Sequence, residues 1–210
     1  MVCVTVFGMY AQSAVIRELA GEVELKPAGT SEFVPARAGD EVAPNTIVST
    51  GFRSTAIITV GTHEVTVRPL TRLSLAEIET ASGTENLNMD LQAGRVRVDV
   101  KPPAGTRTNF TVQSPNATAS VRGTSFEFDT RRVKVLEGRV AFRGKRGMPV
   151  VVGAGFESYV GKENKVASPS DIAESSFQPP PPTGSDPGSS GIGSSSRVDF
   201  PIIINYPGID

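Results

Sequence analysis

Three stretches of this chain repeat one short phrase. Leu19-Ala20-Gly21-Glu22-Val23-Glu24-Leu25, Leu91-Gln92-Ala93-Gly94-Arg95-Val96-Arg97-Val98 and Leu136-Glu137-Gly138-Arg139-Val140-Ala141-Phe142 each run leucine, polar step, glycine, then charged and apolar residues in alternation. A period of two places Val23 with Leu25, Val96 with Val98, and Val140 with Phe142 on one face of a strand, charges on the other. A glycine ahead of each strand suits a bulge or tight turn where a side chain would clash. The chain therefore turns a corner three times and each time begins a half-buried strand, which points to an all-β fold.

The composition agrees. The 210 residues leave room for one domain with tails. Aromatics make up 6% and tryptophan is absent, so the core is built from Val, Ile, Leu and Phe. The 21 glycines and 16 prolines favour many turns over long helices. A net charge of -1 gives no chain-wide electrostatic reason to bind nucleic acid or an anionic membrane. Cys3 is the single cysteine, so an internal disulfide is excluded and packing alone holds the domain.

Three regions follow. Residues 1–14 read as a truncated signal peptide: a short apolar run, then Ala11-Gln12-Ser13-Ala14, with small residues placed for cleavage after Ser13. The alternative is a plain apolar edge strand. The run is far shorter than the ~20 residues of a membrane span. Residues 15–167 form the β domain. Ser54 to Val60 and Glu64 to Arg68 are two β-branched runs joined through Gly61-Thr62-His63, a hairpin signal that places His63 in a solvated turn. About a dozen short strands at ~8–12-residue spacing suit a β-sandwich, jelly roll or short solenoid. Residues 168–210 read as a flexible tail rich in Pro, Gly and Ser. Its apolar end, Phe200 to Tyr206, suits either strand addition to a sheet edge or a sticky disordered terminus.

An ordered series of fragments carries a family resemblance. It comprises Gly21-Glu22-Val23, Gly39-Asp40 with Val42, Val48-Ser49-Thr50-Gly51 with Ser54-Thr55-Ala56, and Gly94-Arg95-Val96. It continues with Phe110 to Ala117, Val121-Arg122-Gly123-Thr124-Ser125-Phe126, and Val133 to Val140. Taken together they resemble the FecR domain, the extracytoplasmic part of iron-dicitrate-type regulators. The resemblance implies an exported β module used for binding or signalling in the bacterial envelope. Full-length regulators of that family combine a cytoplasmic helical segment, one membrane span and this domain. Neither of the first two is visible in this sequence, so the expectation is a free-standing form without direct sigma-factor control.

The residues singled out have bland readings beside the functional ones. Gly21, Gly39, Asp40, Gly51, Gly94, Gly123 and Gly138 read as turn and corner positions, with Asp40 capping its own turn. Arg122 suits a fork onto a carboxylate or backbone carbonyls, and Thr124 a turn hydrogen bond. Arg131, Arg132, Lys134, Arg139, Arg143, Lys145 and Arg146 form a basic cluster; within it Arg143 and Lys145 are candidate contacts for an acidic partner, cell-wall polymer or lipid headgroup. The plain alternative is solvated strand faces. No catalytic residue, cofactor or metal site is marked: one histidine falls short of a His/Cys zinc set, and no nucleophile-elbow pattern surrounds a serine. The expectation is thus a non-enzymatic, periplasmic or secreted module that meets a protein partner. The alternative is an envelope structural protein that binds polysaccharide or peptidoglycan.

Overall fold

Among the described residues, charged and apolar residues that alternate lie in extended strands. The structure is a computed structural model that describes residues 14–81 and 83–171. The first nine strands are β1 (Ala14–Ala20), β2 (Val23–Lys26), β3 (Val34–Pro35), β4 (Glu41–Val42), β5 (Ile47–Thr50), β6 (Thr55–Val60), β7 (His63–Val67), β8 (Arg72–Ala81) and β9 (Thr84–Ala93). The rest are β10 (Arg95–Asp99), β11 (Arg107–Gln113), β12 (Ala117–Val121), β13 (Ser125–Asp129), β14 (Arg132–Glu137), β15 (Arg139–Gly144), β16 (Val150–Gly153), β17 (Phe156–Tyr159) and β18 (Ser170–Asp171). No helix occurs among the described residues. The expected signal segment lies outside them save for Ala14, and so does the tail beyond residue 171.

The strands divide into two nine-stranded sheets. The first runs β4-β1-β6-β7-β10-β13-β14-β17-β18 and the second β3-β2-β5-β8-β9-β11-β12-β15-β16. Both sheets therefore grow in the same direction as the chain advances, because the chain lays a strand or hairpin in one sheet and then crosses to the other. One crossing leaves its mark as a parallel pair: β9 and β11 lie side by side after β10 has visited the first sheet. All other strand pairings described are antiparallel.

The inward side chains of both sheets form one continuous core. Period-two burial is strict in β6, β7, β10 and β12, so every second residue leaves water. Phe128 of the first sheet meets Phe142 of the second edge-on, ring centroids 6.2 Å apart and planes at 78°. Two sheets that share a core in this way form a sandwich.

Gly21, Gly94 and Gly138 of the repeated phrase are corners between the sheets, each with positive φ. Gly94 shows why a side chain is excluded. At φ +87 a Cβ there would lie 2.5 Å from Thr71 Cα and 2.6 Å from the Leu70 carbonyl oxygen. A second corner presses on each of the three, and its hydroxyl binds the residue after the glycine. Ser54 Oγ accepts from Glu22 N–H at 2.8 Å. Thr71 Oγ1 accepts from Arg95 N–H at 3.0 Å and donates to Arg95 O at 3.1 Å. Thr124 Oγ1 donates to Arg139 O at 3.1 Å. Each clasp closes one end of the sandwich by joining the backbones of two crossings.

His63 departs from the sequence expectation. The hairpin turn is only Gly61-Thr62, so His63 pairs with Val60 inside the ladder and shares its buried face. It is 1% exposed. Nδ1 accepts from Lys101 N–H at 3.1 Å, which leaves Nε2 to carry the proton toward Glu85 Oε2 at 3.1 Å. Thr108 Oγ1 donates to the same carboxylate oxygen at 3.0 Å. A buried polar link thus ties β7 of the first sheet to β9 and β11 of the second, with the imidazole edge-on to Phe110. Period two through His63, Val65 and Val67 already held this signal.

Candidate functional site

The two outer faces of the sandwich differ in how they treat their arginines. On and beside the first sheet, Arg17 meets Glu64 at 2.6 Å, Arg68 meets Glu127 at 3.3 Å, and Arg97 meets Asp99 at 3.3 Å. Arg95 faces Asp129 and Arg132 faces Glu157 at longer range. On the second sheet, Arg122, Arg139 and Arg143 make no ion pair with any described residue. Such surface pairs contribute little to stability, so the contrast bears on recognition.

The backbone register builds the second face row by row. In β15, Val140 and Phe142 point into the core, so Arg139, Ala141 and Arg143 point out. Ala141 lies between Ser120 of β12 and Val151 of β16, and Thr111 of β11 continues that row beyond Ser120. Arg143 lies opposite Thr118, which lies opposite Gln113. Arg122, the residue after β12, and Arg139, the first residue of β15, border the same depression. Like charges held close together repel.

These side chains surround a surface depression of about 610 Å³, lined by Arg122, Arg139, Asn109, Ser120, Ala141 and Val151 among others. Its chemistry is mixed. Two guanidinium groups supply forked donors for carboxylate, hydroxyl and amide groups flank them, and Ala141 and Val151 give an apolar patch. Asp90 on β9 and Glu77 on β8 stand three and four strands from β15, and Glu137, which ends β14 two residues before Arg139, forms no ion pair with Arg122, Arg139 or Arg143.

The expected residues are distributed as follows. Arg122 and Arg143 stand on this face, and Lys145 is exposed in the turn that follows β15. Thr124 is 5% exposed at the corner beneath, its hydroxyl on Arg139 O. Asp40 Oδ2 accepts from Arg37 N–H at 2.7 Å, while Gly39 N–H donates to Ile16 O, so their turn docks on β1. Gly51 N–H donates to Glu22 O, and Gly123 packs beside Pro102. The basic cluster is split, because the Gly138 corner sends Arg139 and Arg143 to the second sheet and leaves Arg132 and Lys134 on the first. Arg139 and Val151 join Arg122 in the depression they line together, a grouping that their order in the sequence does not show.

Among the described residues no group of three or more His, Cys, Asp or Glu is placed to hold a metal. No described helix is long and apolar enough to cross a membrane. Residues 46–141 match the family described as FecR protein, the family that the sequence fragments resemble. The matched segment runs from the residue before β5 into β15 and carries Arg122, Arg139 and two of the three corner clasps. Two solved structures of a proposed anti-sigma factor from Parabacteroides distasonis ATCC 8503 are similar to this chain, with 17% and 16% identity and TM-scores of 0.48. Each match covers 60% of this chain and 59% of the other. No curated protein matches the chain in sequence.

Proposed function

We propose that this chain, with its FecR segment at residues 46–141, is a regulatory module that works outside the cytoplasm by binding a protein partner and catalyses no reaction. The observation that carries the reading is the pair of arginines left without counter-ions on one face of that segment, while on the opposite face Arg68 and Arg97 pair with Glu127 and Asp99. A depression that holds Arg122 and Arg139 together sacrifices a little stability, and a partner that brings carboxylates offsets the repulsion. Electrostatic complementarity of this kind chiefly sets specificity and association rate.

The test is capture of a partner from envelope fractions by the tagged full-length chain. The wild type is expected to recover a protein that an Arg122→Glu/Arg139→Glu double variant loses. Equal recovery by both, or none above control, removes the reading. N-terminal sequencing of the envelope-associated protein tests export, with Ala14 as the expected first residue. A second reading rests on the hydroxyl and amide groups beside the arginines: an acidic cell-wall polysaccharide held on the same face. Sedimentation with purified cell wall that depends on Arg143 and Lys145 would favour it over a protein partner.

A further inference from the structure

A β-sandwich has four edge strands, and each is a row of unpaired peptide groups that natural proteins shorten or block. Here three are two residues long: β4 and β18 end the first sheet and β3 ends the second. β3 also contains Pro35, which has no N–H to offer. The fourth edge, β16, has four residues, Val150–Gly153, and no described strand pairs with its outer side. Val151 on it is 62% exposed, and Met148 just before it is 83% exposed.

The register shows which peptide groups are open. Ala154 N–H donates to Gly138 O at 3.0 Å, in line with the β15–β16 ladder. Antiparallel pairs alternate between bonded and non-bonded, so Val152 and Val150 direct their peptide groups at β15. Val151 and Gly153 then direct theirs away from the sheet. We propose that this edge takes an extended acidic segment of the partner protein as a tenth strand of the second sheet. The inference rests on the reading that the chain binds a protein.

Charge selects the occupant. Arg139 stands across from Gly153, Arg143 lies four residues further along β15, and neither has a counter-ion among the described residues. A second copy joined edge to edge would add arginines and no facing carboxylate strand, and a neutral strand would leave the arginines unanswered. A strand with acidic side chains four residues apart on its outer face matches the spacing of Arg139 and Arg143. Main-chain bonds to Val151 and Gly153 supply affinity, and the arginines supply register and choice of partner.

The experiment uses the full chain and a labelled, end-capped peptide of alternating valine and glutamate. Fluorescence polarisation is expected to show binding that weakens with salt, and hydrogen exchange to show new protection at the Val151 and Gly153 amides. Val151→Pro removes an outward donor without touching the β15 ladder and is expected to weaken binding about tenfold or more. Should that variant misfold, Arg139→Glu with Arg143→Glu carries the test: it should abolish binding of the glutamate peptide and admit its lysine counterpart. Absence of binding, equal binding of the lysine peptide by the wild type, protection elsewhere, or a dimer of the chain joined through β16 overturns the proposal. Partner capture that survives Val151→Pro overturns the edge assignment alone and leaves the binding-module reading standing.

Discussion

Replacing Gly94 with alanine puts the corner architecture to a quantitative test. The backbone there has φ +87, a left-handed conformation that costs a non-glycine residue about 1–2 kcal/mol. A new Cβ would also meet backbone, 2.5 Å from Thr71 Cα and 2.6 Å from Leu70 O, so the two crossings must part. Overpacking of that kind costs ~1–3 kcal/mol. Parting them weakens the two hydrogen bonds between Thr71 Oγ1 and Arg95, each worth about 0.5–1.5 kcal/mol. The combined loss is roughly 3–8 kcal/mol, a large share of the ~5–15 kcal/mol that holds a domain folded. Gly39→Ala is the control. It has the same hand, φ +93, but nothing lies within 4 Å of the added carbon, so only the conformational cost of ~1–2 kcal/mol remains. Urea unfolding followed by circular dichroism reads both, and with a slope of about 2 kcal/mol/M the Gly94 variant should lose at least 1 M in midpoint. Equal midpoint shifts for the two variants would refute the claim that clasped corners hold the sheets together.

His63→Phe keeps the ring against Phe110 but deprives the Lys101 amide of its acceptor and buried Glu85 of its imidazole partner. The expected loss is about 2–4 kcal/mol in thermal unfolding, and an unchanged midpoint would show that the inter-sheet link is dispensable. Phe142→Ala opens a cavity where the two sheets meet and should cost ~3–5 kcal/mol, whereas Phe52→Ala at a site 72% exposed should stay within about 0.5 kcal/mol. Arg122→Ser relieves a like-charge pair, so chemical denaturation should show stability unchanged or raised by roughly 0.5 kcal/mol while partner capture falls. Loss of stability in that variant would mean that Arg122 serves the fold and not recognition.

The alternation of side chains disclosed most of the core in advance. Val96 and Val98, or Val140 and Phe142, are buried because a strand at the surface of a core offers one face to it, and that rule needs no knowledge of the partner strand. The corner glycines were legible for the same local reason, since Gly21, Gly94 and Gly138 interrupt the pattern just where a new strand begins. His63 differs from the sequence expectation because the turn ends at Thr62, which puts His63 on the buried face that Val65 and Val67 occupy.

Local order settled which residues are strands, which face of each is apolar, and where the chain bends. It left open which sheet each strand would join, that Gly94 would be gripped by Thr71 and Gly138 by Thr124, and that β9 and β11 would become parallel neighbours around an excursion to the other sheet. It also left open the meeting of Arg122 with Arg139 and the exposed edge of β16. The reason is physical: a period of two encodes the orientation of a side chain relative to its own backbone, whereas pairing, register and edges belong to the free energy of the assembled sandwich, in which distant segments compete for the same neighbours.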